Sequence, residues 1–281
     1  MSPRDRGFRH KKSLGQNFMM DKNVAAKMVN AAEIGESDVV LEIGPGMGSL
    51  TKELLRVAKN VTAVEIDERL VENLETEFVE NDKFTVVHKD FLEFDITDFA
   101  ATTGGKIKVV GNIPYNITSQ IIIHTFDHFS AVSSLTVTMQ KEVADRILSK
   151  AGSKNYGILS VYAALFSHPK KLFNVSRGVF NPKPKVESSA VMFNLKKNLP
   201  ENLLNLDLFK KVVRKTFGKR RKMLRNSLKE IGECTEFLTE KGFDLRKRPE
   251  SLEVEEFIEL SNAIHAWQEN ESDSTIATIS D

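Results

Sequence analysis

The tetrapeptide Asn112-Ile113-Pro114-Tyr115 contains the residue types in this chain that best suit chemistry on a planar amine. It follows the apolar run 107–110, so we expect it on a loop at the carboxyl end of a buried strand, where open α/β sheets bind ligands. An exocyclic amine such as adenine N6 is a poor nucleophile because its lone pair is delocalised into the ring. Two acceptors aimed at its hydrogens would favour a nucleophilic nitrogen, and the Asn112 side-chain oxygen and a carbonyl of Ile113 or Pro114 are such acceptors. Tyr115 would stack on the base; the alternative is a strand-end turn with this ring buried for packing.

A glycine loop followed by an acid forms a second candidate site. The predicted strand 39–43 leads into a G-x-G-x-G loop that contains Gly44 and Gly46, and residues 49–57 then have helical periodicity. Glycines allow a ligand close to the backbone, and a helix N-terminus favours negative groups. About twenty residues later Glu65 ends the next predicted strand, where a ribose diol is held in such folds, and Ile66 would pack on an adenine face. The alternative, a surface acid that caps the next helix, describes Asp67 better than Glu65.

These motifs, together with a basic string from Arg220 to Leu228 (R-R-K-M-L-R-N-S-L), resemble the class I, S-adenosylmethionine-dependent adenine-N6 methyltransferases. Within them the chain is similar to the KsgA/RsmA type, which dimethylates adenosines in small-subunit ribosomal RNA, and the resemblance runs from about Ser13 to about Arg248. It implies dimethylation of two adjacent adenosines near the 3′ end of that RNA during small-subunit biogenesis. S-adenosyl-L-methionine would be the donor and S-adenosyl-L-homocysteine the product. The basic string argues against the related resistance methyltransferases of large-subunit RNA.

The resemblance also implies further cofactor contacts. The segment Gly15-Gln16-Asn17-Phe18 would lie over the cofactor, with Gln16, Asn17 and Met19 contacting it, and Asn112 would face it as well. Asp90 would accept from the amine of the cofactor's adenine, and the amide of Phe91 would meet a ring nitrogen. From the residues alone, the first segment is a polar turn before a helix capped by Asp21, and Asp90 is a helix cap.

A proline-rich loop carries one more candidate. Residues 180–188 read F-x-P-x-P-x-V-x-S, which matches the loop that the family places near the target base. Two prolines stiffen this loop, so we expect it to project Phe180 as a second aromatic platform opposite Tyr115. The alternative is a rigid surface loop with Phe180 in the core.

The chain of 281 residues is long enough for one large domain and a small one. We expect a Rossmann-like, doubly wound α/β methyltransferase domain at 13–198 and a small all-helical domain at 199–267. A basic arm would occupy residues 1–12 and a disordered acidic tail residues 268–281. The strands are predicted at 39–43, 61–66, 84–88, 107–110, 135–139, 172–175 and 190–195. The resemblance implies that the last of seven strands is antiparallel.

The helical domain carries the charge expected of an RNA-binding surface. Residues 207–229 contain ten Lys or Arg and one acid, although the net charge of the chain is only +1. Arg220, Arg221, Lys222 and Arg225 are the predicted RNA contacts. Two apolar stripes, one of Leu208, Val212, Val213 and Phe217 and the other of Met223, Leu224, Leu228 and Ile231, would face the core.

Composition excludes several other classes of protein. The single cysteine excludes an internal disulfide, and no apolar run is long enough to cross a membrane. His124 and His128 are four residues apart but lack the glutamate of the zinc-protease motif, so we expect no metal. We expect a monomeric, cytoplasmic protein whose partner is a precursor of the small ribosomal subunit.

Three other functions stay open. A DNA adenine methyltransferase would share the amine chemistry, but the chain has no separate base-reading domain. A ribosome-assembly or transcription factor would bind nucleic acid on this scaffold without catalysis. A nicotinamide dehydrogenase would leave the segment from Asn112 to Tyr115 unexplained.

Overall fold

The structure, a computed structural model, describes residues 15–279, and the predicted basic arm at 1–12 lies outside them. Nine strands form in the described residues. In chain order they are β1 (Phe18–Met19), β2 (Val39–Ile43), β3 (Asn60–Glu65), β4 (Phe84–His88), β5 (Ile107–Asn112), β6 (Val132–Gln140), β7 (Ser167–Val175), β8 (Phe180–Asn181) and β9 (Ser188–Leu195).

Seven of these strands form one twisted sheet in the order β4-β3-β2-β5-β6-β9-β7, and β1 pairs with β8 in a separate two-stranded sheet. The pairs from β4 to β6 are parallel, whereas β9 is antiparallel to both of its neighbours. The strand order reverses between β2 and β5, so the crevice at their carboxyl ends is the switch point where such sheets bind ligands. The predicted doubly wound sheet with an antiparallel last strand is confirmed.

Helices connect the strands and follow the sheet. They are α1 (Lys22–Ala31), α2 (Ser49–Leu54), α3 (Glu68–Glu77), α4 (Ile96–Thr103), α5 (Thr118–Asp127), α6 (Lys141–Ile147), α7 (Ile158–Phe166), α8 (Leu206–Gly218), α9 (Leu224–Leu228), α10 (Thr235–Glu240) and α11 (Val254–Ile279). Asp21 caps α1 as predicted, because its side chain accepts hydrogen bonds from the backbone N–H groups of Asn23 and Val24.

Strands on both sides of the switch point are apolar because both of their faces are covered. Val40, Leu41 and Val110 are fully buried, and β2 and β4 have the predicted bounds. By contrast, β6 and β7 begin earlier than predicted. The added residues are Val-Ser-Ser at 132–134 and Ser-His-Pro-Lys-Lys at 167–171, which are mostly polar and lack the apolar pattern by which the rest of each strand is recognised.

The described residues divide into two compact units. The first consists of the chain up to Ala144 together with Ser167–Lys197, and the second consists of Asp145–Phe166 and the chain from Asn198 onwards. The expected first domain at 13–198 was continuous. Residues 145–166, which include the very apolar helix α7, belong instead to the second unit.

The second unit is all helical and has its own core. Val212 and Val213 of α8 are fully buried, and the ring of Phe217 packs 5.8 Å from that of Phe257 in α11. The first predicted stripe is therefore confirmed. The second stripe is wrong at Met223, which is 47% exposed because it precedes α9 and lies outside its apolar face.

Helix α11 continues past Trp267, where we expected it to end, to Ile279. No glycine or proline interrupts residues 254–279, so nothing in the sequence stops the helix. His265 and Glu269 lie 3.8 Å apart at the i, i+4 spacing across the predicted end. The segment expected to be a disordered tail is thus helical as far as the structure describes it.

None of the helices within residues 15–279 is both long enough and apolar enough to cross a membrane.

Candidate active site

A cavity of about 260 Å³ opens in the first unit at the carboxyl ends of β2, β3 and β5. Every predicted cofactor or amine-binding residue except Phe180 lines it. These residues are Gln16, Asn17, Met19, Gly44, Gly46, Glu65, Ile66, Asp90, Phe91, Asn112, Ile113, Pro114 and Tyr115. The fold therefore brings five separate stretches of sequence to one site.

Phe180 does not line this cavity. Its side chain is 4% exposed and belongs to an apolar cluster that includes Met28 and Val175. The short β1–β8 pairing places Phe180 opposite Met19 and holds it there. The prediction of a second aromatic platform at Phe180 is therefore wrong in this structure. Burial of a large apolar ring outweighs its presentation to solvent.

The glycine loop has the backbone conformation that only glycine adopts easily. Gly44 and Gly46 both have φ of +58°. At Gly46 a Cβ would also lie 2.6 Å from a ring carbon of Phe18, so no larger residue fits without displacing that ring. The loop thus exposes backbone to the cavity on one side and packs against Phe18 on the other.

Glu65 is held at the end of β3 by backbone donors. Its Oε1 accepts from the N–H groups of Ile66 and Asp67, both at 3.0 Å, and its Oε2 accepts from Gly46 N–H at 3.3 Å. Burial raises the pKa of this carboxyl, although the three hydrogen bonds oppose the rise. Because Oε1 is already occupied twice, Oε2 is the oxygen with capacity left for a ligand hydroxyl.

Three more residues give the cavity an apolar wall with a polar edge. Ile66 is 47% exposed, which is unusual for a large apolar side chain and leaves it available to a flat ligand. Asp90 accepts from the backbone N–H of Leu92 at 2.9 Å through Oδ1, so it caps a short 3-10 turn as well as lining the cavity. Phe91 is buried and packs edge-on against His124.

The segment before α1 forms one side of the cavity. Gln16 donates to Asp67 Oδ2 at 3.0 Å, and Asn17 donates to the carbonyl of Gly15 at 3.0 Å. Met19 is buried, since it pairs with β8 while still reaching the cavity. The bond to Asp67 fixes Gln16 just beyond the end of β3. The sequence alone did not reveal this contact.

The Asn112 carboxamide is fixed at both ends. Its Nδ2 donates to the carbonyl of Asn17 at 2.8 Å, and its Oδ1 accepts from the hydroxyl of Thr138 at 2.5 Å. A backbone carbonyl only accepts, so the first bond determines which end of the amide is nitrogen. The amide oxygen retains one lone pair for a further donor.

The loop after Asn112 places Tyr115 at the cavity wall, half-buried. The Tyr115 hydroxyl lies 2.6 Å from the Ser188 hydroxyl, and burial raises the pKa of Tyr115. The carbonyl of Pro114 already accepts from Thr118, whereas that of Ile113 has no donor among the described residues. The Thr118 hydroxyl also donates to the carbonyl of Tyr115, so it bonds to the residues before α5 and does not cap that helix.

The cavity contains a buried acid that the sequence interpretation missed. Glu42 lies in β2, is 1% exposed and accepts from the Thr51 hydroxyl at 2.7 Å. Burial raises its pKa to about 8, and the nearby charge of Glu65 adds to the rise. A single acid in an otherwise apolar strand was the only sequence signal for it.

In the second unit the predicted RNA contacts divide into two kinds. Arg220 donates to the carbonyl of Lys154 at 2.6 Å and lies 3.9 Å from Glu250, so it holds the loop before α7. Arg221, Lys222 and Arg225 are exposed, and none has an ion pair among the described residues.

Part of the basic segment is neutralised within the unit. Lys215 and Lys219 both pair with Glu230, at 3.1 and 2.5 Å. This carboxylate lies just beyond the basic segment in sequence, and the fold brings it back onto α8. Among the described residues, Arg221, Lys222 and Arg225 of the string therefore keep unpaired charges, as do Lys211 and Lys229 beside it.

The two histidines of α5 serve local contacts. His124 bonds to the carbonyl of Phe94 at 3.0 Å, and His128 to the hydroxyl of Thr97 at 2.7 Å. In the part of the chain that the structure describes, no three His, Cys, Asp or Glu side chains are grouped as a metal site.

Comparisons with known sequences agree with this geometry. The family described as ribosomal RNA adenine dimethylase matches residues 7–266. The ribosomal RNA small subunit methyltransferase A of Clostridioides difficile is 37% identical over 265 residues, which cover 92% of each chain. The protein of the same name from Caldanaerobacter subterraneus subsp. tengcongensis is 41% identical over 261 residues, 91% of this chain and 97% of the relative.

Solved structures show the same architecture. A dimethyladenosine transferase from Plasmodium falciparum superimposes with a TM-score of 0.71 at 28% identity, over 86% of this chain and 95% of that one. The 23S rRNA methyltransferase ErmE superimposes with a TM-score of 0.64 at 26% identity, over 88% and 99% of the two chains.

Proposed function

Because the chain belongs to the ribosomal RNA adenine dimethylase family, we propose that it dimethylates N6 of two adjacent adenosines near the 3′ end of small-subunit ribosomal RNA, with S-adenosylmethionine as donor. The observation that carries the proposal is the single cavity that brings Asn112 and Tyr115 beside Glu65 and Asp90. An amine-orienting pair and an adenosine-binding pair at one site are what this transfer requires.

The choice of the small subunit is supported by sequence. The relatives named for the small-subunit RNA are 37–41% identical over more than nine-tenths of this chain, whereas the 23S enzyme is 26% identical. The string Arg220 to Leu228 supports the same choice, because the large-subunit type lacks it. The substrate would be a precursor of the small subunit in the cytoplasm. One chain carries all of the proposed residues, which suits a monomer.

The cavity residues fit S-adenosylmethionine. Glu65 would accept from the ribose through Oε2, and Ile66 would pack on the adenine face. Asp90 and the amide of Phe91 would meet the adenine edge, since adenine recognition needs one acceptor beside one donor. Gly44 and Gly46 would allow close approach of the methionine part, while Gln16, Asn17 and Met19 would cover it. When bound, the cofactor supplies a methyl group activated on a positively charged sulfur.

Asn112 and its neighbours act on the amine of the target base. The free lone pair of Asn112 Oδ1 accepts one amine hydrogen, and the carbonyl of Ile113, to which no described residue donates, accepts the second. Both acceptors would favour a pyramidal nitrogen with a nucleophilic lone pair, which is the form that could take up the methyl group supplied by the cofactor. Tyr115 stacks on the base and fixes its plane. Pro114 stiffens the loop that carries these groups.

No strong general base is required. The nitrogen becomes acidic as it gains its methyl group and loses a proton to water. A monomethylated amine still has one hydrogen and a lone pair, so a second cycle at the same site is chemically allowed. The target adenosine must leave its stack to reach the loop.

RNA binding is assigned to Arg221, Lys222 and Arg225, whose charges are exposed and unpaired among the described residues. Such side chains contact phosphates and position the RNA without reading its sequence. Arg220 holds the protein's own loop, so we propose a structural contribution for it.

The test is transfer of labelled methyl from S-adenosylmethionine to three substrates: unmethylated small ribosomal subunits, free large-subunit RNA and duplex DNA. Label on small subunits alone, recovered as dimethyladenosine, is the expected result. Label on large-subunit RNA instead would overturn the choice of substrate, and label on DNA would favour a DNA methyltransferase. RNA binding without any label would favour the assembly-factor alternative.

A further inference from the structure

Three hydroxyl groups line one face of β6. Ser134, Thr136 and Thr138 alternate along the strand with Leu135 and Val137, and all three are buried. Alternate residues of a strand share a face, so these hydroxyls stand in one row. A buried hydroxyl destabilises the fold unless it is hydrogen-bonded, so the hydrogen bonds of these three hydroxyls are informative.

Only the last of the three has a partner at the site. Within residues 15–279 the hydroxyls of Ser134 and Thr136 make no hydrogen bond, whereas Thr138 donates to Asn112 Oδ1. The sheet register explains the difference. In β5 the residue beside Thr136 is Val110, and the residue beside Thr138 is Asn112.

A buried serine hydroxyl on the neighbouring strand β9 contacts the loop that follows Asn112. Ser188 of β9 is fully buried, and its oxygen lies 2.6 Å from the Tyr115 hydroxyl. Thr138 is paired with Ala190 of β9, two residues from Ser188, so both hydroxyls stand on one face of the sheet.

We propose that Thr138 and Ser188 are positioning residues that hold Asn112 and Tyr115 in the geometry needed for methyl transfer. This inference rests on the proposed function. The hydroxyl of Thr138 must be the donor in its bond, because the amide oxygen of Asn112 can only accept. It occupies one lone pair of that oxygen and directs the other to the amine. Ser188 sets the angle of the Tyr115 ring by holding its outer end.

The physical reason is that Asn112 is the last residue of β5 and Tyr115 lies on the loop beyond it, while the two hydroxyls lie on strands that are paired in the sheet. A carboxamide attached by two rotatable bonds is poorly fixed by one hydrogen bond alone. Groups that act on a transition state need support from rigid elements, because small displacements reduce the rate. The bond of Asn112 to Asn17 supplies one contact, and Thr138 supplies the second from the sheet.

The chain offers matched controls for Thr138. Thr138→Val removes the hydroxyl and keeps the shape, and Thr136→Val makes the same change at a buried hydroxyl without a partner. Thr138→Ser keeps the hydroxyl. We expect Thr138→Val to lower kcat about tenfold, as loss of one hydrogen bond implies, with unchanged affinity for S-adenosylmethionine by calorimetry. The kcat of Thr138→Ser should stay within about threefold of the wild-type kcat, and the kcat of Thr136→Val should equal it.

Ser188 is tested by a double-mutant cycle. Ser188→Ala and Tyr115→Phe should each lower kcat, and the double variant should lose no more than the larger single loss, because both remove the same bond. Ser134→Ala is the control, since its hydroxyl has no partner.

If Thr138→Val and Thr136→Val both transfer the methyl group with the same kcat as the wild-type protein, the role of Thr138 is overturned. The role is also overturned if the kcat of Thr138→Ser is as low as that of Thr138→Val and the loss of kcat accompanies a lower unfolding midpoint. Additive losses at Ser188 and Tyr115 would overturn the role of Ser188. Absence of transfer by the wild-type protein on every substrate would instead count against the proposed function.

Discussion

Glu42 and Glu65 present two buried carboxyl groups to one cavity from neighbouring parallel strands, β2 and β3. Burial raises the pKa of both, and for Glu42 burial together with the charge of Glu65 raises the pKa to about 8. Three backbone N–H donors stabilise the charged form of the Glu65 carboxyl, whereas the Glu42 carboxyl accepts from one hydroxyl, that of Thr51. Near neutral pH, Glu42 therefore keeps its proton and Glu65 is the better placed of the two to carry charge.

The first prediction concerns stability and pH. The pKa of Glu42 rises from 4.5 in an ordinary environment to about 8 in the folded protein. Between these values the unfolded chain has released its proton while the folded chain keeps it, so the free energy of unfolding falls as pH rises. Glu42→Gln removes this dependence. Between pH 5 and 8, the free energy of unfolding measured with denaturant should fall more for wild type than for the variant, by a difference on the order of a few kcal/mol. Parallel curves for the two proteins would contradict the shift.

The second prediction concerns cofactor affinity. Glu65→Ala removes the proposed ribose acceptor, and loss of charge-assisted hydrogen bonds of about 1.5–3 kcal/mol implies roughly 10–100-fold weaker binding. Calorimetry with S-adenosylmethionine measures it directly. Glu68→Ala changes an exposed acid three residues away in α3 and serves as the control. Equal affinity of the two variants would refute the ribose assignment.

The third prediction separates chemistry from binding. Asn112→Ala removes the amine acceptor, so labelled-methyl transfer should fall by at least about a hundredfold, the scale of losing one transition-state hydrogen-bonding group. Affinity for S-adenosylmethionine should change by no more than about fivefold, because only the bond to Asn17 is lost from the covering segment. Asn60→Ala, at the exposed start of β3, is the matched control. Retained transfer would rule out the orienting role of Asn112.

The fourth prediction concerns RNA. Reversal of Arg221, Lys222 and Arg225 to Glu should weaken binding to small-subunit RNA and lower the slope of log K against log salt by about 2–3, since each phosphate contact contributes roughly 0.7–0.9. The control reverses Lys59, Lys83 and Lys106, which are exposed on the first unit and give the same change in net charge. Filter binding over a series of salt concentrations compares the RNA affinities of the two triple variants. An equal effect of both triple variants would show that the string is not a specific contact.

The fifth prediction follows from the position of Phe180. Because the ring is buried in the apolar cluster of the first unit, Phe180→Ala should lower the free energy of unfolding by about 3–5 kcal/mol. Phe180→Leu should cost less, since it leaves a smaller cavity. A stacking role would give the opposite pattern, with unchanged stability and weaker RNA binding. Chemical denaturation together with RNA affinity decides between them.

Much of the site was predictable because its residues follow strands. Parallel strands bring their carboxyl ends to one edge, so the glycine loop, Glu65 and Asn112 had to meet once the strands were identified. The errors arose where a residue's environment comes from distant sequence. Phe180 is buried because the β1–β8 pairing, formed with a segment far away in sequence, holds it against the apolar cluster.

The sequence by itself determined the sheet, the loop proposed to bind the amine and the family, because these depend on local patterns: apolar runs, glycines at fixed spacing and the Asn112–Tyr115 motif. Only the tertiary structure decided which hydroxyl supports Asn112. Ser134, Thr136 and Thr138 look alike along the chain, and they differ only in the β5 residue that strand register places beside each of them. Register is a property of paired strands, and no single stretch of sequence contains it.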